Sequence, residues 1–186
     1  MRKIILIAFI AISLFAIEKD EITTVMENKI NQATSIIKKD ISDQEKAVKI
    51  FPLFDDVFDY KLMTKLSLGK SNWSKMTPEQ RKEFTTKFIT YLKHSYVKKI
   101  SLYTDEKLKI IGLKDVKKRV YLLTQLVGSK EAYDIAYKFY KSKTKGWLIY
   151  DVDIIGISLI QIYRAQFKDI LEKESYAALL GKIESQ

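Results

Sequence analysis

The chain has 186 residues, of which 47% are hydrophobic, and a formal net charge of +10 at pH 7. This length suits a single domain that buries a core without disulfides. Cysteine is absent, which excludes a disulfide framework, a thiolate metal site and thiol catalysis.

The first sixteen residues have the pattern of a secretory signal peptide. A basic start, Met1-Arg2-Lys3, precedes an apolar run over residues 4–15, and Ala16 offers a small side chain for cleavage. An uncleaved membrane anchor is the alternative, although this run is short for a span. We therefore predict a signal peptide over residues 1–16, export of the protein, and one mature domain over residues 17–186. Loss of Arg2 and Lys3 lowers the net charge from +10 to +8.

Apolar side chains at three- and four-residue steps predict helices at the start of the mature domain. The first helix covers residues 17–39, and Ser42 or Asp43 is placed to cap the second. Pro52 is expected to interrupt that second helix, because proline lacks a backbone N–H.

A third helix is predicted from about residue 54, with Phe58 on its apolar face. Gly69 is placed to end it, since glycine accepts the left-handed conformation common after helices. Trp73 is then expected in a loop.

A long helix is predicted to begin at Thr77, with Pro78 in the first helical position and Gln80 completing a capping box. It runs to about Tyr103. Its apolar stripe includes Phe84, Phe88, Leu92 and Tyr96. Core packing is the simplest explanation of such a stripe.

From residue 108 the hydrophobic period changes to two, which predicts strands. We expect four, over residues 107–113, 119–127, 132–141 and 147–152, and then helices over 158–173 and 176–183. In the third strand, Tyr133, Ile135, Tyr137 and Phe139 share one face. The predicted fold is α+β: a curved four-stranded antiparallel sheet covered by helices, with an apolar pocket between sheet and helices.

Few side chains form a pattern typical of catalysis or metal binding. His94 is the one histidine, and it lies off the apolar stripe of its helix. Asp151 and Asp153 are two residues apart in a strand, so they would face the same side of the sheet. Paired carboxylates can act as acid and base or bind calcium. The simpler interpretation is that these two mark the end of the strand and the turn. We predict no catalytic residue, no metal site and no cofactor.

The basic charge has three explanations. A basic surface with aromatic rings binds nucleic acid in some proteins, but an exported protein rarely meets it, so no nucleic-acid partner is predicted. Lysines also favour anionic membrane surfaces. General solubility is the third explanation.

Three blocks of residues, in their order and spacing behind a signal peptide, resemble the MlaC family of toluene-tolerance auxiliary, or periplasmic phospholipid-binding, proteins. The first block is Phe58-Asp59-Tyr60 with Leu68-Gly69 and Trp73. The second is Gln80-Arg81 with Phe84, Phe88, Leu92 and Tyr96. The third is Gly146-Trp147, Asp151-Val152, Gly156-Ile157-Ser158, Arg164 and Phe167. The family's usual Glu-Gly-Val-Ser turn has Ile155 in place of the glutamate, so no role of that carboxylate carries over.

The resemblance implies a periplasmic phospholipid carrier that maintains outer-membrane lipid asymmetry and is not an enzyme. Its ligand would be phospholipid. Its partners would be an outer-membrane lipoprotein–porin complex and the hexameric inner-membrane subunit of an ABC transporter. The mature domain would then be a single lipid-binding domain.

We predict an apolar lipid site formed by twelve residues. They are Phe58, Trp73, Phe84, Phe88, Leu92, Tyr96, Tyr133, Tyr137, Trp147, Ile149, Ile157 and Phe167. An alternative is a small periplasmic enzyme of cone-like α+β fold with Asp151 or Asp153 as its base, which requires a polar group inside the pocket. A structural module with a solid core is a third possibility.

Overall fold

Seven helices and one antiparallel sheet make up the part of the chain that the computed structural model describes, residues 16–100 and 106–185. The helices are α1 (Ile22–Ile37), α2 (Asp43–Phe54), α3 (Tyr60–Leu68), α4 (Lys70–Lys75), α5 (Pro78–Ile100), α6 (Leu159–Lys173) and α7 (Tyr176–Glu184). The strands are β1 (Lys107–Val116), β2 (Arg119–Val127), β3 (Ala132–Lys141), β4 (Trp147–Ile154) and β5 (Ile157–Ser158). Within these ranges no helix is both long and apolar enough to cross a membrane. The predicted signal peptide, apart from Ala16, and the predicted helix end near Tyr103 lie outside the described residues.

The sheet is a meander in the order β1-β2-β3-β4-β5, with all neighbours antiparallel. The α+β prediction is confirmed, but the sheet has five strands rather than four. Beyond the turn at Gly156 the chain pairs back onto β4, with Ile157 opposite Ile154 and Ser158 opposite Asp153. A strand of two residues is too short to show a hydrophobic period, so the pattern could not predict it.

Two bulges interrupt the register of the sheet. One extra residue, Ile111, interrupts the β1–β2 register, and Tyr150 interrupts the β3–β4 register. A bulge bends its strand and increases the local twist.

Three predicted helix starts are confirmed by their hydrogen bonds. Ser42 Oγ accepts from the backbone N–H of Glu45 at 3.2 Å, and the Glu45 carboxylate accepts from the Ser42 N–H. Thr77 forms the same reciprocal box with Gln80. At α6, the Ser158 hydroxyl accepts from the N–H three residues later. Each satisfies a backbone donor that a helix start leaves unpaired.

Three local predictions were wrong. Pro52 lies inside α2, because only the last turn follows it and few hydrogen bonds are lost. The next helix begins at Tyr60, not near residue 54, since the Asp59 carboxylate accepts from the N–H of Leu62 at 2.9 Å and caps it. Trp73 lies in the short helix α4, not in a loop.

The buried apolar side chains form two clusters. The helical core packs α3 to α7 together, and its rings include Phe84, Phe88, Tyr163 and Phe167. The sheet core packs α1 against the sheet and includes Ile22, Met26, Leu122, Phe139 and Ile149. Phe58 packs against both clusters, and a pocket lies between them.

Candidate functional site

An apolar pocket of about 310 Å³ lies between α2, α3 and α5 on one side and β3 and β4 on the other. Its volume is at the lower end of the range of about 300–1,000 Å³ usual for ligand pockets. Its lining consists of Ile50, Phe51, Phe54, Phe58, Tyr60, Met63, Leu92, Lys93, Tyr96, Ile135, Tyr137, Val152, Ile154 and Leu159. Among these described residues, Lys93 alone carries a charge. The prediction of an apolar space between sheet and helices is confirmed.

The sheet wall of the pocket comes from two paired strands. Ile135 and Tyr137 of β3 share a face because side chains alternate along a strand. They lie opposite Ile154 and Val152 of β4, respectively, so four apolar side chains form one patch. The hydroxyl of Thr124 on the neighbouring strand β2 donates to the backbone oxygen of Ile135 at 3.0 Å. This hydroxyl is therefore not left without a hydrogen-bond partner next to the apolar patch.

The segment between α2 and α3 is held against β4 by backbone hydrogen bonds. The N–H of Ile149 donates to the oxygen of Val57 at 2.7 Å, and the N–H of Asp59 donates to the oxygen of Ile149 at 2.8 Å. Phe58 is therefore fixed at the base of the pocket. Its ring stacks on that of Tyr60 with centroids 5.4 Å apart. This short segment joins the sheet wall to the helical wall.

A charged pair stands at the mouth of the pocket. Lys93 Nζ of α5 lies 2.6 Å from Asp55 Oδ1, directly after α2, and the Tyr60 hydroxyl donates to the same oxygen at 3.0 Å. The Lys93 and Asp55 side chains are 25% and 44% exposed, so this mouth pair meets water. Burial, together with the Asp55 charge and hydrogen bond, raises the pKa of Tyr60.

The phenols inside the pocket stay protonated at neutral pH. Burial raises the pKa of Tyr137 to about 12. Burial and the neighbouring tyrosines do the same for Tyr96, whose pKa is also about 12. Neither hydroxyl is a base near pH 7. With an interior of carbon and neutral phenols, the pocket is suited to hold an apolar molecule.

Asp151 and Asp153 lie on the opposite face of the sheet and do not line the pocket. Both carboxylates contact Lys138, whose Nζ is 3.2 Å from Asp151 Oδ2 and 2.5 Å from Asp153 Oδ1. Asp151 is buried and also accepts from the Ser158 hydroxyl at 2.7 Å and from the N–H of Ile160 at 3.2 Å. Its contacts therefore anchor the start of α6 to β4.

The remaining polar side chains do not form a catalytic or metal-binding arrangement in the part of the chain that the structure describes. His94 is exposed on α5. Within the described ranges, no group of three or more histidine or acidic side chains could hold a metal ion. A second hollow is an open groove of about 650 Å³ between α3 and α5. Its lining combines four cations with other side chains: Lys61, Lys65, Arg81 and Lys82, and Asp59, Leu62, Trp73, Pro78, Thr85 and Thr86. These four cations distinguish the groove from the apolar pocket, whose lining has one charged residue, Lys93.

The structure brings four of the twelve predicted lipid-site residues together in the pocket: Phe58, Leu92, Tyr96 and Tyr137. The other eight lie elsewhere. Phe84, Phe88 and Phe167 pack in the helical core, and Trp147 and Ile149 in the sheet core. Trp73 is buried beside Arg81, while Tyr133 and Ile157 are 40% and 58% exposed at the surface. Contact of these eight with a ligand stays a prediction.

Sequence reasoning missed ten of the lining residues. Ile135, Val152 and Ile154 could have been found, since Ile135 shares the face of Tyr137 and the hairpin places β4 beside it. Met63, Ile50, Phe51, Phe54 and Leu159 look like core residues in sequence, and so does Tyr60. Nothing in the sequence singled out Lys93 among its many neighbouring lysines.

The chain is similar to known proteins both in sequence family and in fold. The family model described as MlaC protein matches residues 27–185. Among solved structures, the chain is similar to a phospholipid-binding protein from Ralstonia solanacearum, determined in complex with a phospholipid. The TM-score is 0.73 and the sequence identity 21%, over 87% of this chain and 94% of that chain. A comparison with curated proteins gave no significant match. At this identity, the likeness establishes a shared fold.

Proposed function

The chain belongs to the MlaC family, and from this premise we propose that it binds phospholipid in the pocket between sheet and helices and carries it, without catalysis. The observation that carries the proposal is the apolar pocket itself, built from carbon and neutral phenols. The similar Ralstonia solanacearum structure, with its bound phospholipid, supports the same ligand class for this fold.

The energetics suit a carrier. Burial of a methylene contributes about 0.8 kcal/mol, so a chain of about sixteen carbons gains at most roughly 12 kcal/mol. A lipid held this strongly does not escape into water at a useful rate, so handover requires a docked partner. Since the pocket is small for a diacyl lipid, we expect α2 and α5 to move apart from the sheet on loading.

We further propose that the protein works in the periplasm after removal of a signal peptide. Family resemblance supports an outer-membrane lipoprotein–porin complex and the hexameric inner-membrane subunit of an ABC transporter as partners. Transfer between them would maintain outer-membrane lipid asymmetry. The intact mass of the protein from the host periplasm tests cleavage near residue 16; an unprocessed chain in the membrane fraction would contradict it.

Native mass spectrometry of the mature protein from its own host, followed by lipid extraction, tests the ligand. We expect phospholipid at close to one molecule per chain. A protein that stays lipid-free, even after incubation with phospholipid vesicles, would overturn the carrier proposal.

A filled pocket should lose lipid while the fold persists. Ile154→Trp places a large ring among the β3 and β4 side chains that line the pocket, and we expect lipid occupancy to fall several-fold. Val48→Trp is the matched control, because Val48 lies on α2 but is exposed and outside the pocket. Thermal unfolding of both variants separates lost binding from lost folding. Equal occupancy in both would place the lipid elsewhere.

A further inference from the structure

We propose that Lys93 binds the phosphate of the phospholipid at the pocket mouth, and that Asp55 competes with this phosphate for the same ammonium. This inference rests on the proposed function and deepens it. It assigns the headgroup chemistry to one residue: a lipid that carries a phosphate ester is favoured over one of the same chain length that lacks it.

The position of the ammonium is the first reason. Lys93 is the charged member of an otherwise uncharged lining, and its side chain is one quarter exposed. A lipid whose chains fill an apolar space must keep its phosphate where that space meets water. Lys93 stands at this boundary. A phosphate there meets a cation without being buried.

The rings around Lys93 keep the ammonium at the mouth. Its Nζ lies 5.1 Å from the centroid of the Tyr60 ring and 5.9 Å from that of the Phe51 ring, and both rings line the pocket. Such cation–ring contacts are attractive within about 6 Å. The lysine stem is thus held between the two helical walls of the pocket. A freely mobile surface lysine would have no such constraint.

Asp55 shows where an anion sits against this ammonium. Its carboxylate oxygen, 2.6 Å from Lys93 Nζ, is the anionic contact made by Lys93 among the described residues. An ammonium has three donors, and charge-assisted bonds to phosphate and carboxylate are of similar kind. Asp55 is nearly half exposed, so water can take over its solvation when a phosphate replaces it. The exchange therefore leaves no buried charge unpaired.

Competition predicts opposite effects for the two members of the mouth pair. Lys93→Met removes the phosphate partner but keeps the stem, and we expect affinity for phosphatidylglycerol to fall by about tenfold. Asp55→Asn removes the competing charge, and we expect affinity for the same lipid to rise by about threefold to tenfold. A diacylglycerol with the same acyl chains should change by less than about twofold in either variant.

Displacement of a bound fluorescent fatty acid by each lipid in dilute detergent measures these affinities. Lys29→Met and Asp56→Asn are matched controls, since Lys29 on α1 and Asp56 in the turn after α2 form a neighbouring ion pair at 2.8 Å outside the pocket. Both controls should leave the lipid preference unchanged. Lys93→Gln provides a second variant if Lys93→Met has a lowered Tm.

Each outcome decides the inference. Opposite shifts for phosphatidylglycerol, with diacylglycerol unmoved, support it. If both mouth-pair variants weaken both lipids alike, the pair has a structural role and the inference is overturned, although the carrier proposal stands. If the wild-type protein binds neither lipid, both proposals fall.

Discussion

Single residues fix the first described segment of the chain against the sheet. Gly146 has a φ of +69°, and a Cβ added there would lie 2.5 Å from the backbone oxygen of Ile17. The adjacent Trp147 N–H donates to that same oxygen at 2.9 Å. Glycine is thus required at position 146 for two reasons: the backbone there is left-handed, and the backbone of Ile17 approaches too closely for a Cβ.

At this scale, Gly146→Ala should destabilise the fold. The left-handed conformation alone costs about 1–2 kcal/mol for a residue with a Cβ, and the clash with Ile17 adds to it. Gly181→Ala is the matched control, since space is open there inside α7 and alanine should stabilise a helix by about 0.5–1 kcal/mol. Urea unfolding measures both. A neutral Gly146→Ala would contradict the close approach.

Polar side chains position α6 against its neighbouring elements. The guanidinium of Arg164 on α6 donates twice to the backbone oxygen of Leu66, at 2.8 and 2.6 Å, and so ties α6 to the last turn of α3. At its start, α6 is anchored by Asp151 through Ser158 and Ile160. These contacts hold the helical core beside the sheet and keep the space between them.

Asp151→Asn tests this anchoring. Asparagine keeps one acceptor and Lys138 keeps Asp153 as a partner, so we expect a loss of about 1.5–3 kcal/mol from the weakened hydrogen bonds to this buried side chain. Asp169→Asn is the control, as its pair with Lys173 is exposed and should contribute less than about 1 kcal/mol. Urea unfolding again provides the measurement. If Asp151→Asn leaves the free energy of unfolding unchanged, Asp151 does not anchor α6. The alternative of an enzyme that uses Asp151 as its base would then be favoured.

Within the described residues, the buried apolar side chains form two separate cores. The helical core and the sheet core are joined through Phe58, and the remaining space between them is the pocket. Its walls carry three phenols with raised pKa values, Tyr60, Tyr96 and Tyr137. Because these phenols ionise at a higher pH in the folded protein than in the unfolded chain, their protonation links the free energy of unfolding to pH.

Stability should decline at high pH. In the unfolded chain a phenol ionises near pH 10, whereas Tyr96 and Tyr137 in the folded protein ionise near 12. Their contribution is therefore complete below pH 10 and is lost as the pH rises from 10 to 12. Thermal unfolding between pH 8 and 12 should show this loss, and Tyr137→Phe should reduce it. An identical decline in the variant would show that Tyr137 does not contribute.

Local signals in the sequence were sufficient for most elements, because caps, turns and hydrophobic periods act over a few residues. Thr77 and Gln80 marked the start of α5, and the change of period marked the sheet. The family prediction is also confirmed, since the MlaC family model matches residues 27–185. Two features were missed. The two-residue strand β5 depends on its pairing with β4, which no local pattern shows. The continuation of α2 past Pro52 involves only the last turn of that helix.

By itself, the sequence determined the fold class, the family and the apolar character of the site. Tertiary structure alone decided which apolar side chains line the pocket and which fill a core. Phe88 and Leu92 lie one helical turn apart on the same stripe of α5 and both belong to the helical core, yet Phe88 packs against Phe167 while Leu92 also lines the pocket. Hydrophobicity is the same for both; the difference is whether another element comes close enough to fill the space. The pairing of Lys93 with Asp55, distant in sequence, was decided in the same way, by the packing of α2 beside α5.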